Sequence, residues 1–175
     1  MKAAIYYGKN DIRVEERPIP TVGPNDVLIR NLRGGICGTD INIVKEGSNL
    51  GISFGSEFGH EFFGEIVEVG ANVSDDIKVG MRVGVNPITA KRAGRRKSLE
   101  CGGFSQYVLI EDAALNYNLY VMDDHVTAEE AVLMEPMSVG FHGAFRTHPR
   151  PGEKIAVLGA GPIGLSAAAS LIGEG

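Results

Sequence analysis

From Lys2 to about Tyr120, apolar and polar residues alternate in short runs broken by Gly, Pro and Asn, the pattern of half-buried strands joined by turns. Runs at Lys2–Tyr7, Ile12–Glu15, Val27–Leu32, Phe63–Val69, Met81–Val85, Phe104–Ile110 and Leu119–Met122 predict strands. Many short strands with regular turns predict a compact barrel or a sandwich. A helical turn is expected near Thr39–Asp40, where either side chain can accept hydrogen bonds from a first turn's N–H groups. The character changes at Thr127. Thr127-Ala-Glu-Glu130 has capping-box spacing and an apolar run follows it, so Thr127 to Phe145 reads as helical, interrupted near Pro136. After a turn at Pro149–Gly152, Lys154–Leu158 is an apolar run of the fully buried strand type. It leads into Gly159-Ala-Gly-Pro-Ile-Gly164 and a small-residue helix from Pro162 towards Leu171, the opening strand, turn and helix of a dinucleotide fold.

Composition narrows the class. The chain has 175 residues, 43% of them hydrophobic and 22% charged, enough apolar residues for a sizeable core in one domain or one and a fraction. The net charge of −5 argues against a nucleic-acid binder. With only two cysteines, Cys37 and Cys101, a disulfide framework is not expected and a reducing cytoplasm is. The apolar run at Met1–Tyr7 is too short for a signal peptide, and no stretch approaches membrane-spanning length, so no membrane partner is expected.

Four residues offer metal-ligand chemistry: Cys37, His60, Glu61 and Glu135. Thiolate, imidazole and carboxylate are the donors that zinc accepts in catalytic sites. Taken singly, a cysteine is as readily a small buried hydrophobe, a histidine a satisfied polar residue and Glu61 a surface charge. Spacing alone does not show that residues so far apart converge.

Gly59-His60-Glu61, followed by Gly64, Gly70 and Val73, is similar to the zinc alcohol dehydrogenase signature G-H-E-x2-G-x5-[GA]-x2-V. Cys37-Gly-Thr-Asp40 resembles the segment that supplies the first zinc ligand in the medium-chain dehydrogenase/reductase family. Leu133-Met-Glu-Pro-Met-Ser-Val139 resembles a segment of that family's sorbitol and threonine dehydrogenase branch, and the glycine turn follows at the family's usual distance. The resemblance implies a mainly β GroES-like catalytic domain over residues 1–138. A linking helix and the first β-α unit of an incomplete Rossmann domain would follow over residues 139–175.

The same resemblance implies a zinc-dependent oxidoreductase. It would move a hydride between a polyol, sugar alcohol or secondary alcohol and NAD or NADP. Cys37 and His60 become catalytic zinc ligands, with Glu61 and Glu135 competing for the remaining protein position. Asp40 would hold the ring of His60. Thr39 would take the substrate proton. Both residues also suit a helix cap. Gly159, Gly161, Pro162, Ile163 and Gly164 would cradle the pyrophosphate. The residue that separates NAD from NADP is expected about 20 residues further on, beyond Gly175. The full-length relatives are oligomers that complete the Rossmann sheet, so this chain alone is expected to have little turnover.

The chain departs from the family in two further ways. Only Cys101 stands where many relatives have a four-cysteine lobe, so one catalytic zinc and no structural zinc are expected, with Cys101 a reduced thiol. The run Lys91–Lys97, with five basic residues, reads as a solvated loop, with contact to a phosphate-bearing substrate or an acidic partner surface as the lesser reading. Asn42 stands where a histidine often relays the proton, and a neutral amide cannot act as a base. Two other readings keep the same barrel: a non-catalytic zinc-binding module, and a zinc-free quinone or enoyl reductase, whose relatives lack the ligand set.

Overall fold

The computed structural model describes residues 1–47, 51–90 and 98–173. The chain packs as two compact units, Met1–Val132 and Leu133–Gly175, which part upstream of the change expected at Ser138.

The first unit is built on two antiparallel sheets. One runs in the order β2 (Asp11–Glu16), β1 (Lys2–Gly8), β4 (Ser56–Glu57). The other runs β7 (Tyr107–Ile110), β3 (Val27–Gly34), β5 (Phe62–Val69), β6 (Arg82–Val85), β8 (Leu119–Val121). β3 opens with three consecutive buried residues, Val27, Leu28 and Ile29, because it lies between β7 and β5 instead of at an edge. Its register against β5 shifts at Leu28/Ile29 and again at Asn31/Arg33. Such irregularities bend a strand and re-aim its side chains. The second shift comes just before the chain leaves the sheet, and so sets the direction in which the segment leading to Cys37 departs.

Val27, Ile29, Phe62, Ile66, Val83 and Val108 form the centre of the main core. Burying each such side chain contributes about 1.5–3 kcal/mol. A smaller cluster of Tyr6, Ile43, Ile52 and Phe58, with Phe104 at its margin, seats α1 (Gly38–Glu46) against β1.

Several elements differ from the sequence reading, each for a local reason. The strand expected over Phe104–Ile110 begins only at Tyr107. Residues ahead of it bridge towards β1, with Ala4 N–H donating to the Phe104 carbonyl (3.1 Å) and Gln106 N–H to the Lys2 carbonyl (3.0 Å), while the Gln106 carbonyl still accepts from Asn31 N–H of β3 (2.9 Å). α1 is capped by Cys37, not by Thr39 or Asp40, which occupy the second and third helical positions. The helical stretch after Thr127 divides into α2 (Ala128–Ala131) and α3 (Met134–Phe145). The break falls at Val132–Leu133, one turn ahead of Pro136. A proline ring clashes with the carbonyl four residues before it, here Val132, yet is tolerated in a first turn, where its missing N–H is not needed. The capping box is present as expected, Glu130 N–H donating to Thr127 Oγ1 (3.3 Å) and Thr127 N–H to Glu130 Oε2 (2.8 Å).

In the second unit α3 packs on α4 (Pro162–Gly173), with Gly140 directly over Ser166. Lys154–Leu158 was expected as a buried strand. It forms no ladder, and Leu158 is 100% exposed. The described residues of this unit hold no strand, and a single extended run can neither pair its backbone nor cover its apolar side chains. No helix among the described residues is long and apolar enough to cross a membrane.

Candidate functional site

The sheet brings together two segments that are distant in sequence. β3 and β5 are antiparallel, with Gly34 paired to Phe62. The chain therefore leaves β3 towards Cys37 beside the point where His60 and Glu61 enter β5. One ligand atom each from Cys37, His60 and Glu61 lies within 4.8 Å of the others. His60 and Glu61 are buried, and Cys37 is half-buried. Cys37 is also the N-cap of α1, where the aligned peptide dipoles favour negative charge.

Two glycines permit this convergence. Gly35 donates its N–H to the Glu61 carbonyl (2.7 Å), and a β-carbon there would overlap Glu61 Oε2. Gly59 has φ of +92°, a conformation that side chains other than glycine rarely adopt, and it turns the chain into His60.

Asp40 lies beneath the cluster, 2% exposed. Its Oδ2 accepts the Cys37 N–H at 2.8 Å, reaching back from the first turn of α1 to the cap residue. Its Oδ1 faces His60 Nδ1 at 3.7 Å, and both atoms are buried without a hydrogen-bond partner among the described residues. Burial pushes the Asp40 carboxyl up from its ordinary value, against the opposing pull of the Cys37 N–H and of His60. A buried carboxylate facing one nitrogen of an imidazole leaves the other nitrogen open for a metal, the arrangement that orients metal-binding histidines. The donor set, its spacing and this partner suit a zinc ion.

Thr39 is half-buried on the first turn of α1, next to Asp40, and Asn42 is exposed further along the helix. Glu135 lies on the first turn of α3, in the second unit. Cys101 is buried in the main core, its Sγ 3.7 Å from the Pro87 carbonyl. Lys91–Lys97 lie outside the described residues.

The glycine turn has the geometry that its sequence suggests. Gly159 has φ of +103°, and a β-carbon at Gly164 would collide with the Gly159 carbonyl. Gly161 has open space where a side chain would stand. Gly159 to Ile163 are exposed, and α4 begins at Pro162, so its first N–H groups are open to solvent. This fits a pyrophosphate seated on a helix N-terminus.

Two contributors were not singled out from sequence. Gly35 was read only as context for Cys37, and Phe104, which packs on Gly59, only as a strand residue. The Gly34-Gly35 and Gly102-Gly103 doublets were the available signal, since paired glycines mark close backbone approach.

Comparison with known proteins places the chain in a family. Residues 23–118 match the alcohol dehydrogenase GroES-like domain. The chain is 36% identical over 188 residues to sorbitol dehydrogenase from Bacillus subtilis (strain 168), covering 97% of this chain and 52% of that protein. The crystal structure of 2R,3R-butanediol dehydrogenase from Bacillus subtilis superposes with a TM-score of 0.81 at 33% identity, covering 99% of this chain and 55% of that one. A structure of an alcohol dehydrogenase from E. coli CFT073, complexed with NADH, superposes with a TM-score of 0.83 at 29% identity, covering 99% of this chain and 53% of that one. The chain thus spans about half the length of the curated relatives it matches. With the family matched over most of the β unit, and the Cys37 and His60–Glu61 segments side by side, the chain belongs to the alcohol dehydrogenase GroES-like family, within the zinc-dependent medium-chain dehydrogenases.

Proposed function

We propose that this chain is the metal-binding and nucleotide-entry part of a polyol, sugar-alcohol or secondary-alcohol dehydrogenase that uses NAD or NADP and one catalytic zinc. The observation that carries the reading is the convergence of a thiol, an imidazole and a carboxylate within 4.8 Å, with a buried carboxylate behind the imidazole. The resemblance to sorbitol and butanediol dehydrogenases supports the substrate class.

Cys37, His60 and Glu61 would hold the zinc, and Glu135 is the alternative to Glu61. Asp40 fixes the ring of His60 by facing Nδ1, so that Nε2 is the free nitrogen. When bound, zinc supplies a Lewis acid for the substrate oxygen and NAD(P) the hydride acceptor. Thr39, beside Asp40 on α1, receives the hydroxyl proton of the substrate and passes it outward. Asn42 cannot take the proton further, because an amide is no base at neutral pH, so release goes to water. Gly159, Gly161, Pro162, Ile163 and Gly164 would cradle the pyrophosphate at the start of α4, the N–H groups of the residues around Pro162 donating to it while Pro162, which has none, sets the first helical turn. A small-molecule alcohol is the partner, and the full-length protein is a homo-oligomer in a reducing cytoplasm.

The test uses a chain that spans the full length of its relatives. Reduction of NAD+ or NADP+ is followed by nicotinamide absorbance with sorbitol, 2,3-butanediol and a primary alcohol, before and after chelation. Turnover with a polyol or secondary alcohol, lost on chelation and restored by zinc, is the expected result. Turnover indifferent to chelation would refute the metal assignment. Activity restricted to the primary alcohol would refute the substrate class.

A further inference from the structure

Phe104 is outside the ligand set, yet it packs against both segments that carry it. Its ring lies on Gly59, where a β-carbon would stand 2.8–3.0 Å from Cδ2, Cγ and Cε2 of the ring. On the other segment, a β-carbon at Gly34 would lie 3.6 Å from Phe104 Cδ1 and 3.0 Å from the Gly103 carbonyl. The backbone is tied to the Gly59 segment as well. Phe104 N–H donates to the Phe58 carbonyl (3.1 Å) and Gly103 N–H to the Gly59 carbonyl (2.9 Å). Asn31 of β3 fixes this backbone in turn, its Nδ2 donating to the carbonyls of Gly103 (2.5 Å) and Ser105 (3.2 Å). The ring meets Phe58 edge to face, centroids 4.8 Å apart. With Asp40, Ile36, Ile41 and Val44 it also lines a cavity of about 330 Å³.

We infer that Phe104 is a positioning residue for the metal centre: a flat wedge that fixes the separation of the Gly34–Cys37 segment from the Gly59–Glu61 turn. The inference rests on Cys37, His60 and Glu61 being the metal ligands. Neither Gly34 nor Gly59 has a side chain of its own, and the Phe104 ring stands where a β-carbon of either would reach. A planar ring with two torsions holds one thickness, whereas a branched aliphatic of similar hydrophobicity does not. A metal site needs its ligands held to within about 0.5 Å, and loss of outer support costs about ten- to hundredfold in metal affinity.

The test is titration of the metal-free chain with Co2+, read by the thiolate-to-metal absorption in the near ultraviolet and by the visible bands, whose intensity reports ligand geometry. Phe104→Leu is expected to bind Co2+ about tenfold or more weakly, with altered visible bands. Phe104→Tyr, which keeps the ring, is expected to restore both. Val108→Ala, a cavity in the main core away from both segments, controls for general destabilisation and is expected to bind as the wild type does. Wild-type affinity and spectrum in Phe104→Leu would overturn the wedge while leaving the ligand assignment standing. Equal weakening in Phe104→Leu and Val108→Ala would overturn it as an effect of stability alone. A wild-type chain that gives no thiolate absorption would refute the ligand assignment, and the wedge with it.

Discussion

Replacing Gly35 by alanine separates the fold from the metal site. A β-carbon at this position would overlap Glu61 Oε2 and lie 3.1 Å from Glu61 Cβ and 3.4 Å from its Cδ. Rotation of the carboxylate relieves the first contact, and a shift of a few tenths of an ångström, about one rotamer adjustment, relieves the others. Gly35 is not among the residues with positive φ, so alanine adds no backbone strain there. It also removes unfolded-state freedom worth about 0.4–1 kcal/mol of stability. The two effects oppose each other, and the net change in stability stays within about 1 kcal/mol. Metal affinity has no such compensation. Turning the carboxylate away from Cys37 and His60 costs at least what loss of an outer partner costs, about ten- to hundredfold, or about 1.4–2.8 kcal/mol. The assay is competition for zinc against a chromophoric chelator, with thermal unfolding of the metal-free protein measured in parallel. Wild-type zinc affinity in Gly35→Ala would refute the role given to Glu61. A weakened Glu135→Ala would then assign the position to Glu135.

Further outcomes follow from the same structure. Cys37→Ser removes zinc binding, because an alcohol is a poor substitute for thiolate, whereas Cys101→Ser lowers stability by placing a hydroxyl in the main core and leaves zinc content unchanged. Metal analysis and thermal unfolding of the two variants check both statements. Gly164→Ala drives a β-carbon into the Gly159 carbonyl, a backbone atom that cannot rotate away, so NADH binding measured by fluorescence titration should weaken in a chain of its relatives' length. Hydrogen bonds from the Thr127 hydroxyl and backbone N–H hold the Glu130 carboxyl below its ordinary value. A depressed folded-state pKa stabilises the fold above the ordinary value, and that contribution is lost as pH falls through the folded value. Glu130→Gln should therefore reduce the fall in stability on acidification, as followed by denaturant unfolding across the acid range.

Much of the β unit was legible because its strands alternate and its turns carry Gly, Pro and Asn. What the pattern missed depended on long-range partners. Phe104–Gln106 have strand-like residues, but their N–H and carbonyl groups bond largely to β1 and to Phe58, and the Gln106 carbonyl still reaches β3, at Asn31 N–H. Local chemistry placed the cap of α1 at Thr39 or Asp40. The structure gives it to Cys37, since the Asp40 side chain reaches back instead of starting the helix. Lys154–Leu158 has the composition of a buried strand, and burial of that kind requires neighbours on both sides. The candidate ligands could be named from motifs alone, as a set of four with Glu135 beside the Cys37, His60 and Glu61 trio. The trio's convergence could not, because that follows from the β3/β5 register, which pairs Gly34 with Phe62. Gly35 and Phe104 matter through the room they leave or fill, a property of packing that one-dimensional spacing does not carry.

The most direct test of the central claim is the zinc content of the chain, purified without added metal or a histidine tag, beside Cys37→Ser prepared identically. About one zinc per chain, absent from Cys37→Ser, is the predicted result. Zinc retained in full by Cys37→Ser, or a wild-type chain that takes up no zinc on reconstitution, would contradict it.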